Sequence, residues 1–484
     1  MPARPAQRLR PELLVLFVLA VVTRFWSLTS PHDVVFDEAL YEEYIGHYFN
    51  GTYYFNLHPP VGKLILALGA HLLGIAPHTL QAIEPAVTLR AIPAAAGALI
   101  IPVFYQLLTQ LGANRRTATL GAFLLLCDTA VLAVSRFILI DSILILFMLC
   151  ALSAWLASRT RTGGARSAFV IASAVFSGLA AGTKWTGLGA LGVIGIDWLR
   201  SVIMWRGGPA AARDGGLAPV PVRALAVEGG ILAVVPALVY AGAFAVHFAL
   251  LPNSGNGDRV MSAAFTETLV GSPTYRPDAH LSFAAKLLDL HRAMIHENVA
   301  FETAMHEGAS PWWSWPILKH PLYVWAGGGP DASTVGHVLI EGNLVVWWGA
   351  LVGMLVLAAA AASGRARERL APYRRALAFL AVAYVVNFLP FAFITRILFL
   401  YSYLPALVVS VAIATIGIGA LADWTGGDGR SRFASRRSAA LYWGVAALAC
   451  VTFLYFAPFA YGSPMTNAAY HRRLWVLERH FGQP

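Results

Sequence analysis

Eleven stretches of this chain are apolar over close to the length a bilayer demands: 11–29, 86–111, 116–134, 136–158, 167–182, 183–205, 224–250, 337–362, 373–395, 397–421 and 438–460. A hydrocarbon core about 30 Å thick is crossed by about 20 helical residues. Within lipid every backbone N–H and C=O must find its partner inside the segment, so runs of this kind become helices. The expected fold is all-α and integral to the membrane, one multispan domain over 1–484 with about 11 transmembrane helices. Composition agrees: 58% of the 484 residues are hydrophobic and 12% charged, about half the charged share of a soluble domain. A further apolar stretch, 61–76, is short and follows two prolines, so it is expected to lie along the interface as a helix of the first outer loop.

The formal charge of +10 is a topology signal. Basic residues fall in alternate loops: the N-terminus with Arg4, Arg8 and Arg10, then Arg115-Arg116, 158–166, 206–223, 364–375 and 429–437. The positive-inside rule makes those segments cytoplasmic. The outer loops are then 30–85 and 251–336, with the tail from Tyr461, and nucleic acid is not an expected partner. No small-residue cleavage site follows Leu13–Ala20, so the first stretch reads as an uncleaved span. Cys127, Cys150 and Cys450 all lie in apolar runs, which implies neither a disulfide framework nor a thiol metal site.

The first outer loop carries the chemistry. "VVFDEALYEEYIGHYFNGTYYFNLHPPVGK" (34–63) holds Asp37, Glu38, Glu42 and Glu43, the last two at helical spacing from Glu38. Such a run is either a solvated acidic loop or the source of a general base for a hydroxyl nucleophile. Cations recur at the outer mouths of the spans, where the topology rule depletes them: Arg90, Arg136, Lys184 and Arg396. Any one can be an interfacial residue that snorkels; four at one depth point to an anion site. Asp141, five residues after Arg136, reads as that arginine's structural partner or as part of the chemistry. In His58-Pro59-Pro60 the prolines fix an extended approach, so a helix can start near Val61 with Lys63 in its first turn. No metal-ligand spacing occurs in this loop, so a protein-held metal is not expected, and a magnesium bound through phosphate is the alternative left open. A carboxylate base beside cations that offset charge on a lipid phosphate leaving group is one arrangement that uses all of these residues.

These residues resemble the first outer loop of the protein O-mannosyltransferase family, with its Asp-Glu pair and His-Pro-Pro. Further matches follow in order: "LRAIPA" (89–94), "SRFILIDSILILF" (135–147), "GTKWTGL" (182–188), "HFALLPNSGNGDRVMSAAF" (247–265), "SPWWSWPILKHPLYVW" (310–325), "FLPFAFITRILFLYSYLPAL" (388–407) and "FAPFAYGSP" (456–464). The resemblance implies a GT-C type glycosyltransferase that moves mannose from polyprenyl-phosphate mannose to Ser or Thr hydroxyls of polypeptides crossing the membrane at the secretion translocon. Inversion at the sugar carbon and no metal cofactor are part of that implication. Asp37 matches the family's base and Glu38 its neighbouring acid. Arg90 matches an arginine needed for activity, and Arg90, Lys184, Arg396 and Arg136 are assigned to the carrier phosphate. His58, Lys63, Trp185, Tyr403 and Asp141 are assigned to the loop and the substrate lining.

There are departures. Residues 251–336 are too short for the soluble β-trefoil module many eukaryotic members carry there, which fits the compact bacterial members and a bacterial plasma membrane. Asn56 stands where an Asp commonly precedes His-Pro-Pro. The aromatics of "SPWWSWP" suit either an interfacial belt or stacking on a sugar or peptide. Two alternatives stay open: a transferase of another polyprenyl-phosphate-linked sugar to a lipid or glycan, and a transporter of an anionic substrate.

Overall fold

A computed structural model describes residues 10–75, 88–206, 221–300, 307–329, 331, 333–424 and 433–478. Arg4, Arg8, residues 76–85 of the first outer loop, most of the 206–223 basic loop and residues 429–432 lie outside the described residues.

The chain begins with α1 (Pro11–Phe25) and places α2 (Glu38–Asn50) and α3 (Val61–Leu72) in the first outer loop. There follow α4 (Ala91–Gln110), α5 (Arg115–Leu126), α6 (Thr129–Arg136), α7 (Asp141–Arg159), α8 (Gly163–Thr183), α9 (Leu188–Arg206) and α10 (Val222–Leu250). The second outer loop contains α11 (Phe283–Ala300) and strands β1 (Leu322–Gly328) and β2 (Thr334–Ile340). The bundle closes with α12 (Leu344–Ala360), α13 (Arg374–Phe388), α14 (Leu404–Leu421) and α15 (Arg436–Tyr461). After it come β3 (Met465–Thr466) and α16 (Asn467–Glu478).

Among the described residues eight helices are long and apolar enough to cross a membrane, or nine if α5 and α6 count as one span broken by 58°. The protein is a multi-pass membrane protein. Two of the eleven expected spans are shorter than that criterion, α1 with 15 residues and α12 with 17. The break in the 116–134 stretch has a cause. Asp128 ends one helix and caps the next by accepting from the Val131 N–H at 2.8 Å. Its other oxygen accepts from Trp347 Nε1 at 2.7 Å. The expected span at 337–362 starts late for a similar reason. Asn343 accepts from Val345 N–H at 3.0 Å and so caps α12, while residues up to Ile340 belong to β2. α3 forms where the prolines direct it, and its 12 residues are too few to cross.

The core is helical. α7 packs between α4 and α8, α8 against α10, and α14 between α12 and α13. β1, β2 and β3 make an antiparallel three-stranded sheet in that order, a feature absent from the sequence reading. The two outer loops are knitted together by the main chain. Tyr53 N–H donates to Asn253 O at 2.8 Å and Asn253 N–H to Gly51 O at 2.9 Å. Gly257 allows this approach, since a Cβ there would come within 2.5 Å of the Phe55 nitrogen.

Candidate active site

Several helix ends meet at one cavity of about 450 Å³. Asp141 enters as the first residue of α7, and Lys184 follows the last residue of α8. Trp185 and Thr186 come from the short turn after Lys184, and Arg396 and Tyr401 from the segment joining α13 to α14. The first outer loop contributes Leu57 and His58, and α11 contributes Ile295 and Asn298. Pro390, Phe391, Phe393 and Ile394 make an apolar wall with Leu144 and Ile145, and Phe393 is 80% exposed at its rim.

Charge is unevenly spent in this cavity. Lys184 Nζ donates to both oxygens of Asp141, at 2.8 and 2.9 Å, and lies 4.9 Å from the centre of the Tyr401 ring. Arg396 has no hydrogen-bond or ion-pair partner among the described residues. A cation in an apolar-walled cavity without a counter-ion is an anion site in waiting. Burial, then the charges of Lys184, Lys63 and Arg396, hold the His58 imidazole well below its usual range. His58 lines the cavity together with Lys184 and Arg396.

Lys63 braces this loop from behind. Its ammonium donates to Asn56 Oδ1 at 2.8 Å and to the His58 carbonyl at 2.5 Å, and Asn56 Oδ1 also accepts from the His58 N–H at 2.9 Å. The departure at position 56 thus leaves a buried lysine paired with an amide. Burial and then Lys184 hold that ammonium well below the usual lysine range.

Asp37 is half-buried at the head of α2. Phe36, just before it, has φ +52°, a strained value for a bulky side chain, and its ring meets Tyr401 at 6.4 Å between centroids. Burial, then the charges of Asp141 and Asp37, push the Tyr41 phenol well above its usual range. Asp37 does not itself line the cavity; its neighbour Phe36 packs on Tyr401, which does.

Four expected site residues do other work. Glu38 accepts from Arg90 through both oxygens, from the Val35 N–H at 2.8 Å and from the Ile138 N–H at 2.9 Å. With four donors and 1% exposure it has no lone pair to offer a substrate. Arg90 spends the rest of its guanidinium on the carbonyls of Leu28, Pro31 and Asp33. Arg136 bonds the carbonyls of Arg24, Trp26 and Ser27 and stacks on Tyr461. Neither arginine lines the cavity that holds Lys184 and Arg396; both hold the loop after α1 against the bundle. Tyr403 is 2% exposed, packed on Trp347 and Phe388 with its hydroxyl on Tyr384. Tyr401, two residues earlier in the same motif, is the tyrosine on the cavity. Asn298 was equally unmarked, because nothing in a solvated-looking loop helix signals that it closes a site. Among the described residues no three His, Cys, Asp or Glu side chains gather as metal ligands.

A family model described as dolichyl-phosphate-mannose-protein mannosyltransferase matches residues 14–252, and one described as the C-terminal four TMM region of protein-O-mannosyltransferase matches 283–479. The chain belongs to the protein O-mannosyltransferase family. Protein O-mannosyltransferase 1 of Drosophila melanogaster is 33% identical over 267 residues, covering 53% of this chain and 30% of that protein. Protein O-mannosyl-transferase 1 of Rattus norvegicus is 34% identical over 276 residues, covering 54% and 36%. The chain thus spans about a third of the length of these curated family members. In fold it is similar to the S. cerevisiae protein O-mannosyltransferase Pmt1-Pmt2 complex bound to the sugar donor, with TM-score 0.81 at 16% identity over 98% of this chain and 92% of that one. The archaeal oligosaccharyltransferase AglB from Archaeoglobus fulgidus shares the fold more distantly, with TM-score 0.54 at 15% identity over 94% and 55%. ArnT from Cupriavidus metallidurans bound to undecaprenyl phosphate gives 0.50 at 17% identity, over 96% and 77%. The expected GT-C fold is therefore the fold of this protein O-mannosyltransferase family member.

Proposed function

We propose that this chain transfers mannose from polyprenyl-phosphate mannose to Ser or Thr hydroxyls of polypeptides on the outer face of a bacterial plasma membrane, with its N-terminus cytoplasmic. The observation that carries the reading is Arg396, without a partner among the described residues, lining one apolar-walled cavity together with the Lys184–Asp141 pair. Phosphate is the anion such a site suits, and a polyprenyl tail is the ligand that suits the wall formed by Pro390, Phe391, Phe393 and Ile394.

In this reading the acceptor oxygen attacks the anomeric carbon from the face opposite the phosphate, and the configuration inverts. The C–O bond to phosphate breaks, and its electron pair stays on the carrier phosphate, stabilised by Arg396 and Lys184. Asp37 takes the hydroxyl proton. Side-chain cations fill the place of a metal, so the reaction is expected to run in the presence of a chelator. Acceptor chains are expected to arrive extended from the secretion translocon.

The test is transfer from polyprenyl-phosphate mannose to a Ser/Thr peptide by the purified chain. Transfer of hexose to the peptide is expected with wild type and a loss with Asp37→Asn. Hexose arriving instead on a lipid or glycan, with none on Ser or Thr, sinks the protein-acceptor reading.

A further inference from the structure

Trp185 is held at the cavity wall by a chain of three hydrogen bonds that ends on α11. Its indole N–H donates to the Tyr240 hydroxyl at 3.0 Å. Tyr240 meets His291 Nε2 at 2.8 Å, and His291 Nδ1 meets the Leu287 carbonyl at 2.7 Å. With a neutral imidazole, the two ends fix the direction of every bond. An indole nitrogen only donates and a carbonyl only accepts. His291 is therefore the tautomer with hydrogen on Nδ1; Tyr240 donates to its Nε2 and accepts from Trp185. The His291 ring also lies along the indole, 6.3 Å between centroids at 29°, and packs on Phe244 at 5.0 Å.

The same helix touches the cavity directly. Ile295 and Asn298, one and two turns past His291, line it alongside Trp185. Trp185 follows Lys184 in the chain, so the angle of the indole and the position of the lysine are set together.

We propose that His291 is a positioning residue: acting through Tyr240 it fixes the Trp185 indole, so that α11 sets how the cavity fits the sugar-phosphate head of the donor. The assignment rests on the donor reading above. His291 touches no reacting atom; its effect falls on donor binding rather than on the chemical step.

The test compares full-length wild type with His291→Leu, Tyr240→Phe, the double variant and His291→Gln. KM and kcat for polyprenyl-phosphate mannose, Kd for polyprenyl phosphate alone, and Tm are measured. Each single loss is expected to raise KM about two- to tenfold, the span of one hydrogen bond, with kcat little changed. The double variant is expected to be no worse than His291→Leu, since one chain is broken only once. His291→Gln, whose amide oxygen can stand where Nε2 stood, is expected to recover most of the KM. An unchanged KM in His291→Leu, or effects that simply multiply in the double variant, overturns the proposal. Should His291→Leu lose its fold, seen in Tm, the contrast of Tyr240→Phe with wild type and His291→Gln decides. A wild type that binds polyprenyl phosphate yet transfers no mannose defeats the donor reading instead, and the relay then stands or falls on whether Kd shifts in the same pattern.

Discussion

Arg90 and Glu38 meet in a two-pronged pair, at 2.8 and 2.7 Å, with each residue 1% exposed. The pair joins the head of α2 to the start of α4. Glu38 also accepts from the Ile138 N–H, so three separated segments share one carboxylate. Its neighbour Asp37 is thereby held beside this anchor at the head of α2.

Removing one member of this pair strands the other. Arg90→Ala leaves a buried carboxylate and three carbonyls short of donors. The expected cost is about 3–5 kcal/mol of stability, read as a large fall in Tm of the purified protein. Activity is expected to fall with the folded fraction, and a fully active Arg90→Ala of wild-type Tm shows the pair to be dispensable.

Asp37→Asn is expected to act in the opposite way. The amide keeps the size of the side chain and leaves the Glu38–Arg90 anchor intact, so Tm is expected to hold. Loss of a general base is expected to lower kcat about 10²- to 10⁴-fold. Donor KM is expected to change little, and a wild-type kcat removes Asp37 from the chemistry.

What the sequence disclosed and what it concealed divide along contact distance. Apolar length announces the helices, and the prolines announce the start of α3. Pairings across the bundle were not visible. Asp141 stands five residues from Arg136, yet its partner is Lys184, because α6 ends at Arg136 and a new helix begins at Asp141. Arg136 meanwhile turns to main-chain carbonyls near the end of α1. The acid-rich loop does not disclose how its carboxylates divide: Glu38 is consumed by Arg90 and two backbone N–H groups, while Asp37 beside it is not drawn into that set, since adjacent residues on a helix face different directions. The strand at 334–340 was absorbed into an apolar run, as "HVLI" continues into α12 through the capping Asn343. Short apolar segments look alike whether they become strand or helix.

Arg396 and Lys184 are expected to separate in their effects. Arg396→Gln removes a cation that has no protein partner among the described residues, so stability is expected to persist while donor KM rises about ten- to hundredfold, the range of charge-assisted contacts. Lys184→Met leaves Asp141 buried without its counter-charge, and both Tm and KM are expected to suffer. Adding Asp141→Asn to Lys184→Met is expected to restore Tm but not KM, which separates the structural from the binding share of the lysine. Equal KM in wild type and Arg396→Gln excludes Arg396 from the phosphate site.

Glu42 gives a pH signature of the same loop. Burial first, then the charge of Glu38, pushes its carboxyl up to about 7, and its Oε1 is buried with no hydrogen-bond partner among the described residues. In the unfolded chain a glutamate titrates at about 4.3. Between that value and about 7 the folded protein holds a proton that the unfolded chain has lost. Folded-state stability therefore falls as pH rises through this window and is flat above it, as far as this group is concerned. Glu42→Gln keeps the side chain neutral at every pH, so it is expected to be more stable than wild type at pH about 8 and to match it at pH about 4, the two Tm curves parting between. Parallel curves across that interval show that Glu42 titrates alike in both states, and with it fails the claim that the Glu38 anchor and the loop's burial govern the acidity of α2.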